Sequence, residues 1–281
     1  MRLRGIYWAC GVLALSAQAW AQTREIHWVF SPLPLVHRAE QNEPKGFLDR
    51  MLDEQLIPQL TGYVHRQDLM PLARRTLNLA NDPLACSPGL FKTPERESIA
   101  HYSAPLVTML TGGGFFLSRN DKLKRHTDAQ GAISLRSMLA DPQLSIGVSL
   151  GRSYGREVDA LLARSDASIA ALVTRNSSQA NLAKMLRAER IDVALGHSYE
   201  ASIMTDAGRL KPDTLRFQPI LEEGVIVTVH VACHAGAQGA EVIQKVNALL
   251  SRDEVRQRAQ GYYESLLQPD ERTLLHRLMQ H

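Results

Sequence analysis

From residue 26 onward, short apolar runs alternate with segments whose apolar residues recur at helical spacing. The run IHWVF predicts a first strand, and the spacing of apolar residues in 47–60 predicts a helix. A strand over 63–68, a helix over 71–79 and an apolar run ending at Cys86 follow. This β-α-β-α-β order predicts an α/β fold, with a mainly parallel sheet and helices on its faces.

A second α/β unit follows the apolar stretch PLVTMLTGGGFFL, which contains three consecutive glycines. Strands are predicted over 144–150, 169–174 and 190–196, and helices over 156–165 and 177–189 lie between them. A long apolar strand over 222–235 then precedes C-terminal helices. The pattern therefore predicts two α/β units without an internal repeat or a long linker.

The N-terminus has the pattern of a secretory signal peptide. Arg2 and Arg4 precede the apolar run 6–15, which is too short to span a membrane. The segment Ala-Trp-Ala supplies small residues at the positions that a signal peptidase reads, so we expect residues 1–21 to be removed before Gln22. Cys10 lies inside the apolar run, which argues against lipoprotein processing. We expect a soluble periplasmic protein.

Charge and motif content exclude several classes of function. Without Arg2 and Arg4, the 281-residue chain has only one more basic than acidic residue, which does not favour nucleic acid or an anionic membrane as a partner. There is no H-E-x-x-H spacing and no cysteine pair with zinc-finger spacing, so we expect neither a metal site nor a cofactor.

The segment CSPGLFKTPERESIAHYS reads as a short strand, a loop and the start of a helix. Pro88 and Gly89 are expected to break the strand, and Thr93 followed by Pro94 is a usual helix opening. Arg96 then lies in the first helical turn, where the helix dipole disfavours a cation, so we expect an anion nearby. A guanidinium can bind a carboxylate through two parallel hydrogen bonds. The alternative is an ordinary surface ion pair with a neighbouring glutamate.

With the SAPL segment that follows, this passage resembles the family 3 extracellular solute-binding proteins. More narrowly, it resembles a branch with a Cys-x-Pro-Gly-Leu-x-Lys-Thr-Pro-Glu-Arg motif. The resemblance implies the type 2 periplasmic-binding-protein fold, in which two crossovers join lobe 1 (22–119 and 222–281) to lobe 2 (120–221). It also implies a monomeric, non-enzymatic protein that delivers a small molecule to an inner-membrane ABC permease or to a sensor protein.

The resemblance further implies a set of ligand-binding residues. Arg96 is expected to hold a carboxylate, opposite a lobe 2 loop, residues 151–155, that offers free backbone N–H groups at a helix N-terminus. His197 falls where amino-acid receptors of this family place an aspartate for the ligand's ammonium group. We therefore expect an anionic ligand, such as an organic acid, an amino-acid-like molecule or a short peptide-like molecule. The candidate residues are Phe30, Arg74, Ser87, Gly89, Arg96, Arg152, Ser153, Tyr154, Gly155 and His197.

Structural roles remain open as alternatives for these residues. Phe30 is equally suited to the core. Of Arg74 and Arg75, which are adjacent on a predicted helix, one could face the cleft, although a surface position is the simpler interpretation. Residues 151–155 are also compatible with a solvated turn.

Two further features leave alternatives open. The segment Gly151-Arg152-Ser153-Tyr154-Gly155 matches the G-x-S-x-G nucleophile elbow, so a serine esterase or hydrolase is the rival interpretation. The exported chain retains Cys86 and Cys233, each at the end of an apolar run. In the fold implied by the resemblance their strands are neighbours, so a disulfide is possible, and two buried free thiols are the alternative.

Overall fold

The structure, a computed structural model, describes residues 24–31, 33, 35–38, 44–149, 152, 154–165, 169–172 and 178–280. The predicted signal peptide, Gly151 and Ser153 lie outside the described residues.

Two separate sheets form the framework of the protein. The strands of the first sheet are β1 Arg24–Phe30, β2 Tyr63–Leu69, β3 Ala85–Leu90, β4 Ala100–Tyr102, β5 Val107–Leu110 and β11 Ile226–His234. Those of the second are β6 Gly112–Leu117, β7 Ile146–Ser149, β8 Ile169–Leu172, β9 Val193–His197 and β10 Leu215–Pro219. In the first sheet, β1 pairs in parallel with β2 and β3, and the return strand β11 runs antiparallel to β3, β4 and β5. In the second sheet, β7 pairs in parallel with β8 and β9, and β6 runs antiparallel to β9 and β10. The predicted two-lobed α/β fold is confirmed, but both sheets are mixed and not mainly parallel, because the strands next to the crossovers run antiparallel to their neighbours.

Helices cover the faces of both sheets, because each strand that runs parallel to its neighbour needs a crossover. The predicted helix over 47–60 forms in three pieces, namely α1 Phe47–Arg50, a π-helical stretch Met51–Leu56 and a 3-10 turn Ile57–Gln59. The other helices are α2 Leu72–Asn81, α3 Pro94–Glu97, α4 Leu135–Leu139, α5 Arg156–Ala163, α6 Ser178–Arg187, α7 Ala201–Gly208, α8 Ala237–Leu250, α9 Asp253–Glu264 and α10 Pro269–Met279. Further 3-10 turns are Asp121–His126, Ser198–Glu200, Pro212–Thr214 and Leu221–Glu223.

The chain crosses between the sheets twice, and the two crossovers touch. The first crossing occurs at Thr111, between β5 and β6, ahead of the expected boundary at residue 119. The second occupies the residues between β10 and β11. The Thr111 hydroxyl donates to the Gly224 carbonyl at 2.6 Å, and the Thr111 N–H donates to the Val225 carbonyl at 3.2 Å. These contacts join the crossovers side by side.

The three glycines of β6 do not interrupt the strand. A Cβ at Gly113 would lie 2.3 Å from the Gln218 carbonyl oxygen, and one at Gly114 would lie 2.6 Å from Val193 Cγ1. Glycine is needed here because the neighbouring strands approach too closely for a side chain.

Aromatic contacts join the two lobes near the crossovers. The ring of Phe47 lies 6.5 Å from that of Tyr199 and 5.6 Å from that of Tyr263. The Tyr263 hydroxyl also meets Ser198 Oγ at 2.8 Å and accepts from the Leu110 N–H at 3.1 Å. Because Phe47 and Tyr263 belong to lobe 1 and Ser198 and Tyr199 to lobe 2, one core continues through the crossover region.

A disulfide joins Cys86 in β3 to Cys233 in β11, which resolves the open alternative in favour of the bridge. The two residues lie directly opposite each other in the antiparallel register, and their exposed fractions are 1% and 0%. The bridge therefore fastens the first passage of the chain through lobe 1 to its return.

Candidate functional site

Arg96 lies at the start of a short helix whose N-terminus is capped as predicted. The Thr93 hydroxyl oxygen accepts from the Arg96 N–H at 3.4 Å. The Arg96 guanidinium donates to the Phe91 carbonyl at 3.1 Å, and among the described residues it makes no ion pair. The adjacent Glu97 is held by Lys92 at 2.9 Å. The guanidinium is thus available to bind an anion.

A charge at the start of α5 in lobe 2 acts on the start of α3. The pKa of Glu95 is lowered mainly by hydrogen bonds from its own N–H and from Thr93, and the charge of Arg156 adds to this effect. This electrostatic contact spans the two lobes.

Arg75, and not Arg74, is the buried arginine of α2. Arg74 is exposed, whereas Arg75 has an exposed fraction of 8%. Its Nε is buried without a hydrogen-bond partner, and no ion pair forms with it among the described residues. Burial, and then the nearby charge of Arg96, lower the pKa of Arg75 to about 10. The choice could have been made from sequence, since Arg75 precedes the buried Leu79 by one helical turn.

Pro88 and Gly89 do not break β3, contrary to expectation. Leu90 pairs with His230, and Ser87 pairs with Ala232, so three steps of β3 face two of β11. Gly89 has a φ of 71°, and a Cβ there would lie 2.0 Å from Leu48 Cδ1. The two residues therefore form a bulge, which a proline without an N–H and a glycine at positive φ both suit. Beside it, the Ser87 hydroxyl is fully buried without a partner.

His37 is a site residue that the sequence analysis missed. Its ring stacks on Phe30 with centroids 4.8 Å apart, so Phe30 is both buried and in contact with a polar ring. His37 Nδ1 lies 2.8 Å from Asp49 Oδ1, while Asp49 Oδ2 accepts from the Arg38 N–H at 2.7 Å and the Gly46 N–H at 3.0 Å. Burial, outweighing Asp49, lowers the pKa of His37. The buried Nε2 makes no hydrogen bond of normal geometry, and the nearby Pro88 carbonyl, an acceptor, favours a proton on the ring.

In lobe 2, Arg152 is held in place by an acid and a ring. Arg152 Nη1 donates to Glu200 Oε1 at 2.8 Å, and its guanidinium lies 5.5 Å from the centroid of the Tyr154 ring. Tyr154 is buried, and its hydroxyl accepts from the Ser149 N–H at 2.8 Å. Because Ser153 lies outside the described residues, its predicted roles as ligand contact or nucleophile stay predictions.

The N-terminus of α5 is already occupied by a carboxylate of the protein itself. Glu223 accepts from the N–H groups of Arg156, Glu157 and Val158 at 3.2, 3.0 and 3.3 Å. Gly155 has a φ of 120°, and a Cβ there would lie 2.1 Å from Glu223 Cδ. The expectation that these helix N–H groups are free for a ligand is therefore wrong.

His197 ends β9 next to the Arg152 ion pair. Its ring stacks on Tyr199 with centroids 5.3 Å apart, and its N–H donates to Glu200 Oε2 at 2.9 Å. Burial, and then the charge of Arg152, lower the pKa of His197 to about 3. The ring is neutral at physiological pH, so it supplies no negative charge for an ammonium group.

Buried polar atoms without partners lie near strand ends in both lobes. Ser31 follows β1, Ser149 is the last residue of β7, and Gln179 is the second residue of α6. Native structures pair almost all buried polar groups, and ligands of α/β folds bind beyond the carboxyl ends of parallel strands. In the described part of the chain, the unpartnered atoms are Ser31 Oγ, His37 Nε2, Arg75 Nε, Asn78 Oδ1, Ser87 Oγ, Ser149 Oγ and Gln179 Oε1.

Two other classes of feature are absent from the described residues. No group of three or more histidine, cysteine, aspartate or glutamate side chains there is placed to hold a metal ion. None of the described helices has the length and apolar character needed to cross a membrane.

Comparison with known proteins rests on structure. No protein-family model matches the chain, and no curated protein sequence matches it. A probable amino-acid ABC transporter extracellular-binding protein from Bacillus subtilis aligns with a TM-score of 0.62 and 12% identity, over 89% of this chain and 100% of its own. An ancestral cationic amino acid solute-binding protein aligns with a TM-score of 0.63 and 15% identity, over 88% and 97%. A Streptococcus mutans structure, described for glutathione import and a cystine ABC importer, aligns with a TM-score of 0.59 and 12% identity. The alignment covers 86% of this chain and 94% of the other.

At sequence identities this low, the structural similarity shows the fold alone. The agreement extends over most of each chain. The chain has the two-lobed α/β fold of the periplasmic solute-binding proteins.

Proposed function

We propose that this protein is a periplasmic solute-binding protein that closes over a small anionic ligand and passes it to an ABC permease or reports it to a sensor protein. The observation that carries the proposal is Arg96, which has no acidic partner among the described residues and lies in the segment that resembles the carboxylate-binding turn of family 3 receptors.

The charges around the cleft favour an anion over a cation. In lobe 1, neither Arg75 nor Arg96 forms an ion pair with an acid among the described residues, and Glu97, next to Arg96, is paired with Lys92. In lobe 2, Glu200 is engaged by Arg152 and by the His197 N–H, and the His197 ring is neutral. An amino acid's ammonium group would therefore find no unengaged carboxylate at the position equivalent to the family's aspartate. An organic acid, or an amino-acid-like or peptide-like molecule bound through its carboxylate, fits this balance.

Contacts from both lobes give the ligand its effect on conformation. Arg96 belongs to lobe 1 and Arg152 with His197 to lobe 2, and the charge of Arg156 at the start of α5 acts on Glu95 at the start of α3. A ligand that touches both sides stabilises the closed form by the difference between its contacts in the closed and open states.

The similar structures support a role in binding small solutes. They are named for amino-acid binding, cationic amino acid binding and glutathione import, and none is named for a catalytic reaction. The cationic example contrasts with this chain, because the charge balance described above lacks an acid for such a ligand. Membership of the branch defined by the Cys-x-Pro-Gly-Leu-x-Lys-Thr-Pro-Glu-Arg motif is part of the proposal.

A thermal-shift screen on ligand-stripped protein tests the proposal, using organic acids, amino acids and short peptides, with calorimetry on each hit. We expect anions to raise the melting temperature and Arg96→Ala to weaken their binding at least about thirtyfold, since truncating a buried charge pair costs roughly 2–5 kcal/mol. Lys92→Ala is the matched control, because Lys92 is a cation of the same loop that is paired with Glu97. Stabilisation by lysine-like or arginine-like cations alone, unchanged in Arg96→Ala, would contradict it.

A further inference from the structure

Arg75 is a buried arginine whose lack of a partner is not explained by a single carboxylate bound to Arg96. Only 8% of its surface is exposed, and its Nε has no hydrogen-bond partner. Arg75 lies on the buried face of α2, which packs against β3 and β11. In β4, beside β11, the Tyr102 hydroxyl donates to the Phe91 carbonyl at 3.4 Å, and the Arg96 guanidinium donates to the same carbonyl at 3.1 Å. The charge of Arg96 acts on the pKa of Arg75, after the larger effect of burial. Neither guanidinium forms an ion pair among the described residues.

Such an arrangement is unfavourable in the empty protein. A buried charge without a counter-ion is strongly destabilising, and a second positive charge nearby adds repulsion. Removing a cation from such a place normally stabilises a fold, so its presence points to a partner that arrives from outside. Polar groups at the same end of the first sheet are likewise unpaired, since Ser87 Oγ and His37 Nε2 are buried without partners.

We propose that Arg75 and Arg96 together bind a ligand carrying two negative charges on its lobe 1 side, either two carboxylates or one phosphate-like group. The inference rests on the proposed function and narrows its ligand class from anions to doubly charged oxyanions. A guanidinium pair suits such groups because each planar fork offers two parallel N–H donors to a pair of oxygens. Arg75 is then a specificity-determining residue that distinguishes dianions from monoanions.

Calorimetry with matched probes tests the pairing at constant ionic strength. Succinate is compared with butyrate, which has the same number of carbons and one charge, and sulfate and inorganic phosphate are compared with formate. We expect wild type to bind at least one dianion class at least about tenfold more tightly than its monoanion, and Arg75→Gln to abolish that preference while leaving the monoanion within about twofold. Arg96→Gln should weaken both members of a pair. Arg66→Gln, at an exposed arginine paired with Asp68, should change neither.

The two probe families distinguish the sources of charge, since a preference confined to succinate assigns a dicarboxylate and one confined to phosphate or sulfate assigns a tetrahedral oxyanion. Equal affinity for monoanions and dianions, weakened equally or not at all by Arg75→Gln, overturns this inference and leaves the proposed function intact. Binding of no anion, by these probes and by the thermal-shift screen, overturns both.

A second measurement needs no ligand. Arg75→Met replaces the buried guanidinium by an apolar side chain of similar length. The melting temperature of the ligand-free variant should therefore be at least about 2–4 °C above that of wild type. Arg66→Met should leave the melting temperature within about 1 °C, because surface substitutions have small effects. A lower melting temperature for Arg75→Met would show that the charge is already compensated within the protein and would overturn the inference.

Discussion

Loss of the Cys86–Cys233 bridge should be the most destabilising single change in lobe 1. The bridge closes a chain separation of 147 residues, so removing it restores considerable freedom to the unfolded chain. The chain-entropy relation gives about 5 kcal/mol for a loop of this length, and measured losses are usually about 2–5 kcal/mol. Both residues are fully enclosed, so alanine also leaves a small void where each sulfur was.

The assay is urea unfolding of oxidised wild type, reduced wild type, Cys86→Ala, Cys233→Ala and the double variant. Trp28 lies opposite Cys86 in the register of β1 and β3, and it is the one tryptophan after residue 21. Its fluorescence therefore reports both unfolding and the loss of the nearby disulfide. We expect each single variant to lose as much stability as the double variant, because the bridge is lost as a unit.

Two results would refute this reasoning. If the double variant and reduced wild type stay within about 1 kcal/mol of the oxidised protein, the bridge does not restrain the unfolded chain as the entropy relation requires. If both thiols are alkylated in native periplasmic protein without reductant, the bridge is absent in the cell. The alternating order of strands and helices would survive either result.

Two further predictions concern other parts of the chain. Glu271 is buried at the start of α10 and accepts from the Gln268 N–H at 2.8 Å, and burial raises its pKa to about 8 from an ordinary 4.5. The folded state therefore holds a proton that the unfolded state releases, so stability falls as pH rises from about 4.5 towards 8. Glu271→Gln, which keeps an acceptor, should reduce that fall in urea unfolding at several pH values; identical profiles for variant and wild type would contradict the shift. Ser153→Ala should leave stability unchanged and weaken ligand binding by no more than about one hydrogen bond, roughly 1 kcal/mol. Activity on short-chain esters that disappears in this variant would favour the hydrolase instead.

Local signals in the sequence predicted the parts of the fold that depend on neighbouring residues. Apolar runs and helical spacing predicted the main β-α-β elements of both lobes, because each of them buries one face along its own length. The short elements β4, α4, α7 and β10 were not predicted. The Thr93 cap was predicted for the same reason, since the hydroxyl and the N–H that it accepts from lie three residues apart.

Features that depend on distant residues could not be predicted. Glu223 reaches the α5 N-terminus from 65 to 67 residues along the chain, and no local pattern identifies which acid will do so. The bulge at Pro88 and Gly89 depends on the partner strand β11, which continues the ladder where the sequence alone indicates a break. His37 becomes a candidate only through its stacking on Phe30 and its contact with Asp49.

The contacts of the second crossover have a mechanical consequence. Glu222 accepts from Ser134 Oγ and from the Leu135 and Arg136 N–H groups at 2.8 to 2.9 Å, which attaches this crossover to the start of α4. The next residue, Glu223, attaches it to the start of α5. Gly224 comes next, at a φ of 80° with open space around its Cα. The residues before this glycine are therefore held to lobe 2, and the glycine has no side chain to restrict a change in its φ and ψ. Since Gly224 also receives the Thr111 hydroxyl of the other crossover, we expect the rotation axis of the lobes to pass through these two residues. We expect lobe 2 to rotate about this axis as a rigid body, which moves Arg152 towards Arg96.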